Sequence, residues 1–310
     1  MGDDTSSCLA GVNRTMKKKP TSIRYLLHKT LARSEPARDH SHVHASDLLK
    51  KDLFHDLEFC PRHYALLDTL KRQRPPQFIH AAHAKVFGEG NTTANWIIHT
   101  LADAGLIVGH WECKYCHHEY KFCKRPAECK ECCHTEFKYI EVRFRSRESD
   151  IGGGIDGLLD LGRPKLVIGE FKTMQDEDFK KLVAPLAEHK YRTNLYMRLV
   201  EDSKSKYRHL VDTKEAVVLY QCKGGFGGKQ DDLIKEGITD SVYSPFKEFK
   251  IQRDDSITQT KWDHAKALKD FRDGKTGIPL GLCSTSMCPR AKNCDTRHEC
   301  FSSAYKSEDT

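Results

Sequence analysis

Apolar residues recur at helical spacing in four segments of the chain, and polar or small residues separate these segments. The segments are residues 46–70, 79–104, 182–201 and 256–272. In the first, Ser46 is a residue type that favours an N-cap, and Pro61 marks the point where one helix would break. The second stops at Gly105, a residue type that often follows the last helical turn. The pattern therefore predicts four helical regions.

Six shorter runs are continuously apolar or alternate between apolar and polar residues, which is typical of strands. They are LIVGHW (106–111), KYIEVRF (138–144), GGIDGLLDL (153–161), KLVIGEF (165–171), EAVVLYQC (215–222) and FKEFKI (246–251). Gly162, Arg163 and Pro164 join the third run to the fourth with a turn of hairpin length. Helices that flank a mixed sheet predict an α/β (α+β) fold with a small insertion.

The first part of the chain has a different composition. Residues 1–45 are polar and basic and lack sustained apolar periodicity, so we expect a flexible arm. Eight basic residues occur from Arg14 to Arg38, where Glu35 is the one acidic residue. This excess favours either a polyanionic partner such as nucleic acid or a tail that is kept basic for solubility.

Cysteine content and hydropathy indicate the compartment. No run is apolar over the length of a membrane span, and the N-terminus lacks a secretory pattern, so we expect a cytoplasmic protein without a membrane partner. The thirteen cysteines would be reduced there. Clustered thiols in a reducing compartment bind metal more often than they form disulfides, and eleven of the cysteines lie in groups.

The segment GGGIDGLLDLGRPKLVIGEFKTM (152–174) carries the main candidate chemistry. In a strand, Glu170 and Lys172 share one face while Phe171 points into the core, and Asp156 can lie beside them on the hairpin partner. Two carboxylates suit Mg²⁺ or Mn²⁺, and a lysine beside the ion can orient water for hydrolysis of a phosphodiester. The alternative interpretation is an ordinary pair of opposite charges on a solvated sheet.

These residues also carry a resemblance to a known family. GIDGLLDL followed by LVIGEFKTM resembles the second and third motifs of the PD-(D/E)XK nuclease superfamily, in particular its RecB-like and CRISPR-associated exonuclease branch. The resemblance implies a restriction-endonuclease-like sheet. It makes Asp156, Glu170 and the carbonyl group of Phe171 the ligands of the Mg²⁺ or Mn²⁺ ion, and Lys172 the catalytic lysine. It also implies that Gly154 and Gly157 leave room for substrate.

The resemblance extends over most of residues 46–303, which we expect to form the nuclease domain. FCPRHYALL (59–67) resembles the Cys-Pro-Arg segment of the iron-sulfur members, and FGEGNTTANWIIHTLADAGLI (87–107) resembles the first nuclease motif. Two positions depart from the family pattern: Ala94 replaces a histidine ligand, and Arg192 replaces a glutamine on the helix after the lysine. The candidate accessory residues are Glu89, His99, His189, Arg192 and Tyr196.

The first cysteine group predicts a zinc-ribbon insertion at residues 111–135. Two Cys-x2-Cys knuckles, separated by twelve residues, suit tetrahedral Zn²⁺. The ligands would be Cys113, Cys116, Cys129 and Cys132; Cys133 could replace Cys132, and Cys123 or the flanking histidines could compete. The ribbon's aromatic and basic residues suit either a DNA-contacting flap or the packing of the ribbon itself. These residues are Tyr115, Tyr120, Lys121, Phe122, Lys124 and Arg125.

The second cysteine group lies in residues 280–303. On the resemblance to iron-sulfur nucleases, one upstream cysteine and three C-terminal ones hold a [4Fe-4S] cluster that joins the two ends of the domain. We expect Cys60, Cys283, Cys294 and Cys300 to be its ligands, with Cys288 as the alternative. The spacing alone also allows a second Zn²⁺.

These features predict a metal-dependent DNA nuclease. The resemblance points to a phage-encoded exonuclease of recombination, replication or DNA processing, with DNA as partner. Contacts with replication or recombination proteins and homo-oligomerisation stay open. Ala94 and Arg192 motivate the alternative, a catalytically inactive DNA-binding protein or an interaction subunit that retains the nuclease fold.

Overall fold

A computed structural model describes residues 29–35, 41–48, 59–72, 77–223 and 244–305. Most of the basic stretch from Arg14 to Arg38, and the glycine-rich residues after Lys223, lie outside the described residues. The strands are β1 (Arg33–Glu35), β2 (Val43–His44), β3 (Gln77–Ile79), β4 (Ile107–Cys113), β5 (Glu119–Cys123), β6 (Phe137–Ile140), β7 (Val142–Arg145), β8 (Ile151–Ile155), β9 (Gly157–Leu159), β10 (Leu166–Met174), β11 (Val211–Cys222) and β12 (Phe246–Gln252). The helices are α1 (Ala45–Leu48), α2 (Pro61–Thr69), α3 (Ala81–Asp103), α4 (Asp176–Lys181), α5 (Ala187–Asp202), α6 (Gln259–Arg272), α7 (Pro289–Lys292) and α8 (Arg297–Phe301).

The chain divides into two compact units. Of the described residues, 29–35 and 77–88 belong to the first, and in it β1 pairs antiparallel with β3. The second comprises residues 38–74 and 89–310 and contains the other strands. None of the helices in the described part of the chain is long and apolar enough to cross a membrane.

A seven-stranded mixed sheet forms the centre of the second unit. Its order is β12-β11-β10-β9-β4-β5, with β6 also paired to β4. The central pair, β10 and β11, is parallel, and the chain connects them through α4 and α5, as a parallel pair requires. The remaining pairs are antiparallel. The mixed α/β fold predicted from the pattern is confirmed.

Side chains of β10 alternate between two apolar layers. Ile168 belongs to the layer that contains residues of α5 and α6, whereas Val167 and Phe171 belong to the layer that contains the second half of α3. Helices therefore cover both faces of the sheet. Because alternate residues of a strand share a face, Glu170 lies on the side of Ile168, toward α5.

A second, three-stranded sheet has the order β2-β8-β7. The chain passes between the two sheets twice: Glu141 separates β6 from β7, and Asp156 separates β8 from β9. The runs 138–144 and 153–161, each predicted as one strand, are therefore two strands each. A residue at such a bend is outside the ladder on either side, so its side chain is not constrained to the face of either sheet.

Prolines account for other differences from the predicted helices. The first predicted helix is divided: Cys60 is the N-cap of α2 and Pro61 its first residue, a position at which proline leaves no hydrogen bond unmade. The segment 182–201 forms a helix only from Ala187, after Pro185. α3 ends as predicted, with Gly105 at φ +68°. Residues Val43 and Ala45 are buried, so packed structure begins before residue 46.

Candidate active site and cysteine sites

Three predicted residues meet just before the start of β9 and in the middle of β10. Lys172 Nζ lies 2.6 Å from Glu170 Oε1 and 3.3 Å from Asp156 Oδ2, and it donates to the carbonyl oxygen of Phe171 at 3.1 Å. The amide of Phe171 donates to Asp156 Oδ2 at 3.0 Å. Three oxygen atoms from different groups thus surround one cationic nitrogen.

Glu170 is the most buried member of this group, with a side-chain exposure of 0%. Its Oε1 atom also accepts from Arg192 on α5 at 3.1 Å. Its Oε2 atom is buried and has no hydrogen-bond partner among the described residues. A buried carboxylate oxygen without a partner costs free energy, and a metal ion is one means of satisfying it.

The close approach of these charged groups shifts the pKa values of Asp156 and Lys172. Burial raises the pKa of Asp156, the charge of Glu170 raises it further, and Lys172 opposes both. Burial lowers the pKa of Lys172, but the attraction of Glu170 and Asp156 outweighs burial, so the net shift is upward. In this arrangement the ammonium of Lys172 therefore stays charged at neutral pH.

The site opens into a polar cleft of about 630 Å³. Asp156, Arg192 and Tyr196 line the cleft together with Glu141, a carboxylate that the sequence analysis missed. Burial and the charge of Asp156 raise the pKa of Glu141, while nearby cations oppose the shift. The alternating pattern of the run KYIEVRF does not indicate that Glu141 reaches the cleft, because its position depends on where the chain passes from one sheet to the other.

The accessory candidates fall into two sets. Arg192 contacts Glu170, and Tyr196 is buried beside the site with a pKa raised well above its ordinary value by burial. His189 Nδ1 lies 2.7 Å from the hydroxyl oxygen of Tyr220, and burial and Lys172 lower its pKa to about 4. His189 is therefore neutral, and its contact with Tyr220 fixes the start of α5 against β11.

The other two candidates contact different parts of the protein. Glu89 lies 4.0 Å from Lys223 Nζ, beyond the end of β11. The ring of His99 makes an edge contact with Trp111 at an interplanar angle of 66°, with centroids 5.9 Å apart, in the apolar layer under the ribbon. No described contact joins Glu89, His99 or Ala94 to the three central residues.

The two glycines that were expected to leave room for substrate both lie close to other side chains. A Cβ atom at Gly154 would overlap the carboxylate of Glu141, and one at Gly157 would meet the ring of Phe171 and the side chain of Ile107. These glycines are therefore needed for internal packing. The prediction that they leave space for substrate is therefore wrong for Gly157, whereas Gly154 lines the cleft and for this glycine the prediction stands as a prediction.

The cysteines of the ribbon form one compact group. Cys113 and Cys132 have Sγ atoms 3.5 Å apart, Cys116 and Cys129 likewise, and all four lie within 4.8 Å of one another. Four thiolates at about 2.3 Å from one Zn²⁺ lie about 3.8 Å apart, so this donor set can bind a metal ion of that kind. Cys133 is exposed and Cys123 is outside the group.

Both knuckles end in a left-handed residue that is not glycine. His117 has φ +59° and Cys133 has φ +56°, and each donates its amide to the first cysteine of its knuckle, Cys113 or Cys129. An ordinary side chain in this conformation costs about 1–2 kcal/mol, and glycine avoids the cost.

We therefore expect Cys133→Gly to tighten the retention of a metal ion, such as added Zn²⁺, by the four clustered cysteines. Relief of about 1 kcal/mol corresponds to roughly fivefold in affinity, because metal binding and folding of the ribbon are coupled. The measurement is competition with a chromophoric chelator. Cys133→Ser removes the thiol and keeps the strain, so it should match the unmodified protein. Equal affinities for all three proteins would contradict the prediction.

The aromatic and basic residues of the ribbon mostly pack against the protein. Phe122 stacks on Tyr207 at 4.1 Å, Arg125 pairs with Asp103 at 2.7 Å, and Lys124 pairs with Asp160 at 2.8 Å. The hydroxyl of Tyr120 donates to Cys129 Sγ and accepts from Lys130 N. Four of the six residues therefore contact the protein itself through stacking, hydrogen bonds or ion pairs. These contacts favour the alternative to a DNA-contacting flap.

Four of the remaining cysteines line one cavity formed by the start of α2 and the C-terminal segment. They are Cys60, Cys283, Cys294 and Cys300. Their sulfur atoms are not all within 4.8 Å of one another; His63, Cys294 and Asp295 form the tighter group here. Cys288 instead caps α7, where its sulfur accepts from Ala291 N at 3.2 Å.

Two buried arginines adjoin this cavity. Arg290 donates to Cys283 Sγ at 3.6 Å and is held near Cys60 and Cys294. Arg62 donates to the carbonyl oxygens of Pro279 at 3.4 Å, Cys300 at 3.3 Å and Tyr305. The three residues of the Cys-Pro-Arg segment thus have separate roles. Cys60 lines the cavity, Pro61 is the first residue of α2, and Arg62 holds the C-terminal segment.

Comparisons with known proteins give fold-level similarities only. No protein-family model and no curated protein matches the chain. Among solved structures, the alkaline exonuclease LHK-Exo from Laribacter hongkongensis is 13% identical, with a TM-score of 0.40. The complex of LHK-Exo with dAMP is 12% identical, with a TM-score of 0.39. Both matches cover 76% of this chain and 89% of the LHK-Exo chain. SSO0001 is 14% identical, with a TM-score of 0.32, and the match covers 92% of this chain and 97% of the SSO0001 chain. These values assign no family to the chain.

Proposed function

We propose that this protein is a metal-dependent DNA nuclease of the RecB-like PD-(D/E)XK type. One observation carries the proposal: the carboxylates of Asp156 and Glu170 and the carbonyl group of Phe171 converge on a single cation, the ammonium of Lys172. Strand periodicity and motif resemblance point to the same four residues. An ordinary pair on a solvated sheet would not bury Glu170 completely.

The donor set fits a divalent ion. Carboxylate and carbonyl oxygens are the ligands that Mg²⁺ and Mn²⁺ prefer, and Glu170 Oε2 is a buried oxygen without a protein partner in the described structure. Asp156, Glu170 and the Phe171 carbonyl group would hold the ion. When bound, such an ion polarises the phosphodiester and stabilises the charge that develops on it.

The chain's own residues perform the remaining tasks. Lys172 donates hydrogen bonds and positions the attacking water against the phosphate. Arg192 neutralises Glu170 and lines the cleft, where a guanidinium can pair with a phosphate oxygen. This role explains how an arginine can replace the glutamine of the family pattern. Glu141 adds a second carboxylate to the cleft beside Asp156, although Ala94 supplies none.

The cysteine sites fit structural metals. Zn²⁺ suits the four ribbon sulfurs, which lie close enough to share one ion. A [4Fe-4S] cluster suits Cys60, Cys283, Cys294 and Cys300, because each cysteine of such a cluster binds a different iron atom and the sulfurs stand farther apart. The guanidinium groups of Arg290 and Arg62 would offset the negative charge of the thiolates. Cys288 is less suited, since its sulfur caps α7.

The biological setting follows from the resemblance alone. We assign the protein to exonucleolytic processing of DNA in phage recombination or replication, in the cytoplasm of the host. An inactive DNA-binding protein or an interaction subunit is the second candidate, and Ala94 is the observation that favours it.

The test uses anaerobically purified, fully metallated protein and end-labelled linear DNA, single- and double-stranded, with Mn²⁺, Mg²⁺ or EDTA. We expect degradation that requires the divalent metal and progresses from an end. Asp156→Asn protein purified in parallel excludes a contaminating nuclease. Binding of DNA without cleavage under every condition would reject the nuclease in favour of the inactive protein.

A further inference from the structure

The small sheet has one apolar and one polar face. Ile151 and Ile155 of β8 are fully buried, together with the paired residues Val43 and Val142. The residues of β8 that point the other way are Gly152 and Gly154, because side chains alternate along a strand. The middle strand therefore adds no side chain to the polar face.

Basic residues flank this middle strand on both sides. In the antiparallel pairing, Arg143 is opposite Gly154 and Arg145 is opposite Gly152, so both arginines point to the polar face. In the parallel pairing, His44 is beside Gly152, and the ring of His42 packs directly over Gly152. Two arginines and two histidines thus share one face, which we call the basic face.

The basic face is continuous with the candidate active site. His42, His44, Arg143 and Arg145 line the same cleft as Asp156 and Arg192. At about 3.3 Å per residue, β8 runs roughly 13 Å from Gly152 to Asp156. A nucleic-acid strand, with its charges about 3.4 Å apart along a helix axis, carries several phosphates over that length.

The face is held rigidly at the end away from Asp156. Arg145 forms two hydrogen bonds to Asp150, at 2.6 and 2.9 Å, and donates to the carbonyl oxygen of Ser41 at 3.4 Å. Val43 N donates to Asp150 O at 3.3 Å. These bonds fix β2, and with it His42 and His44, against β8. No side chain in the described structure makes a hydrogen bond or ion pair with Arg143, which is exposed.

We propose that the basic face is a subsite for the sugar–phosphate backbone of the strand being cut, on phosphates adjacent to the one at Asp156; this inference rests on the proposed nuclease function. The sign of the charge changes along β8, from Glu141 and Asp156 at one end to the arginines and histidines at the other. Phosphates of the uncut strand contact the basic end, and Arg143 is the principal contact. The ligand is therefore an extended polynucleotide, and a mononucleotide fills only part of the site.

The test measures binding of a short fluorescein-labelled single-stranded DNA over a range of salt concentrations, without added Mg²⁺ or Mn²⁺. Losing one phosphate contact should reduce the slope of log K against log[salt] by about 0.7. We expect this reduction for Arg143→Gln. Arg163→Gln is the matched control, since it removes the same charge from a surface turn where Arg163 pairs with Glu215.

A second probe locates the contact. A set of the same oligonucleotides carries one neutral methylphosphonate at successive positions. A methylphosphonate at one or two of these positions should weaken binding to the unmodified protein. At one of these positions, the same substitution should not weaken binding to Arg143→Gln. The DNA cleavage assay is run on the same preparation. If Arg143→Gln and the unmodified protein cleave DNA and show equal salt slopes and equal methylphosphonate penalties, the subsite alone is overturned. If the unmodified protein neither binds nor cleaves DNA, the nuclease and the subsite are overturned together.

Discussion

Asp156→Asn is expected to reduce the rate of DNA cleavage by at least about 10²–10³-fold, the range measured when one group that stabilises transition-state charge is lost. Asp156 Oδ2 accepts from the amide of Phe171 and lies 3.3 Å from Lys172 Nζ, so its carboxylate orients both neighbours. An amide keeps the shape of the side chain but removes the negative charge that a divalent ion requires. The loss should appear in kcat, because DNA binding depends on other residues of the cleft.

The matched control for this variant is Asp160→Asn. Asp160 belongs to the same segment and pairs with Lys124 at the surface, at 2.8 Å. The same chemical change there should leave cleavage within about twofold, because an exposed ion pair contributes little to stability. Single-turnover rates at saturating DNA and several Mn²⁺ concentrations separate weaker metal binding from slower chemistry. Similar rates for the two variants would mean that Asp156 has no part in cleavage.

Arg62→Met is expected to destabilise the protein by about 3–5 kcal/mol, since hydrogen bonds from a charged donor are worth about 1.5–3 kcal/mol each. Arg62 is 6% exposed as a residue, and its guanidinium donates to the carbonyl oxygens of Pro279, Cys300 and Tyr305. Methionine fills much of the volume but leaves these partly buried oxygen atoms without their donor. At about 2–4 °C per kcal/mol, the Tm should fall by roughly 6–20 °C.

Arg72→Met is the matched control for this change. Arg72 follows α2 and pairs with Glu299 of α8 at 2.6 Å, but it is 48% exposed. Its loss should therefore cost no more than about 1 kcal/mol. Both variants are compared by thermal unfolding with their metal contents measured. An Arg62→Met protein that melts within about 2 °C of the Arg72→Met protein would show that the buried guanidinium does not hold the C-terminal segment.

The sequence was sufficient for features that depend on neighbouring residues. Periodicity within β10 placed Glu170 and Lys172 on one face and Phe171 on the other, and the structure has this arrangement. The ribbon cysteines also lie together, because each Cys-x2-Cys knuckle is a local turn. The mixed sheet followed from the order of apolar runs.

Features that depend on distant pairing could not be derived in this way. β2 pairs with β8 across about a hundred residues, so His42 and His44 looked like part of a polar tail. Glu141 reaches the cleft because the chain changes sheets beside it, and periodicity within one strand carries no information about such a change. The spacing of the C-terminal cysteines likewise did not show that Cys288 caps a helix while Cys60 lines the cavity.

The cavity between α2 and the C-terminal segment also constrains the order of events during synthesis. Cys60 leaves the ribosome long before Cys300, and at about 5–20 residues per second the interval is roughly 10–50 s. Throughout that interval the cavity is incomplete, and by the time Cys283 is made the strands from β1 to β12 have already been synthesised. Any cofactor bound by all four cysteines can therefore be inserted only after Cys300 has been synthesised, and a chain truncated before residue 283 would retain the sheet residues Asp156, Glu170 and Lys172 but could never complete this cavity.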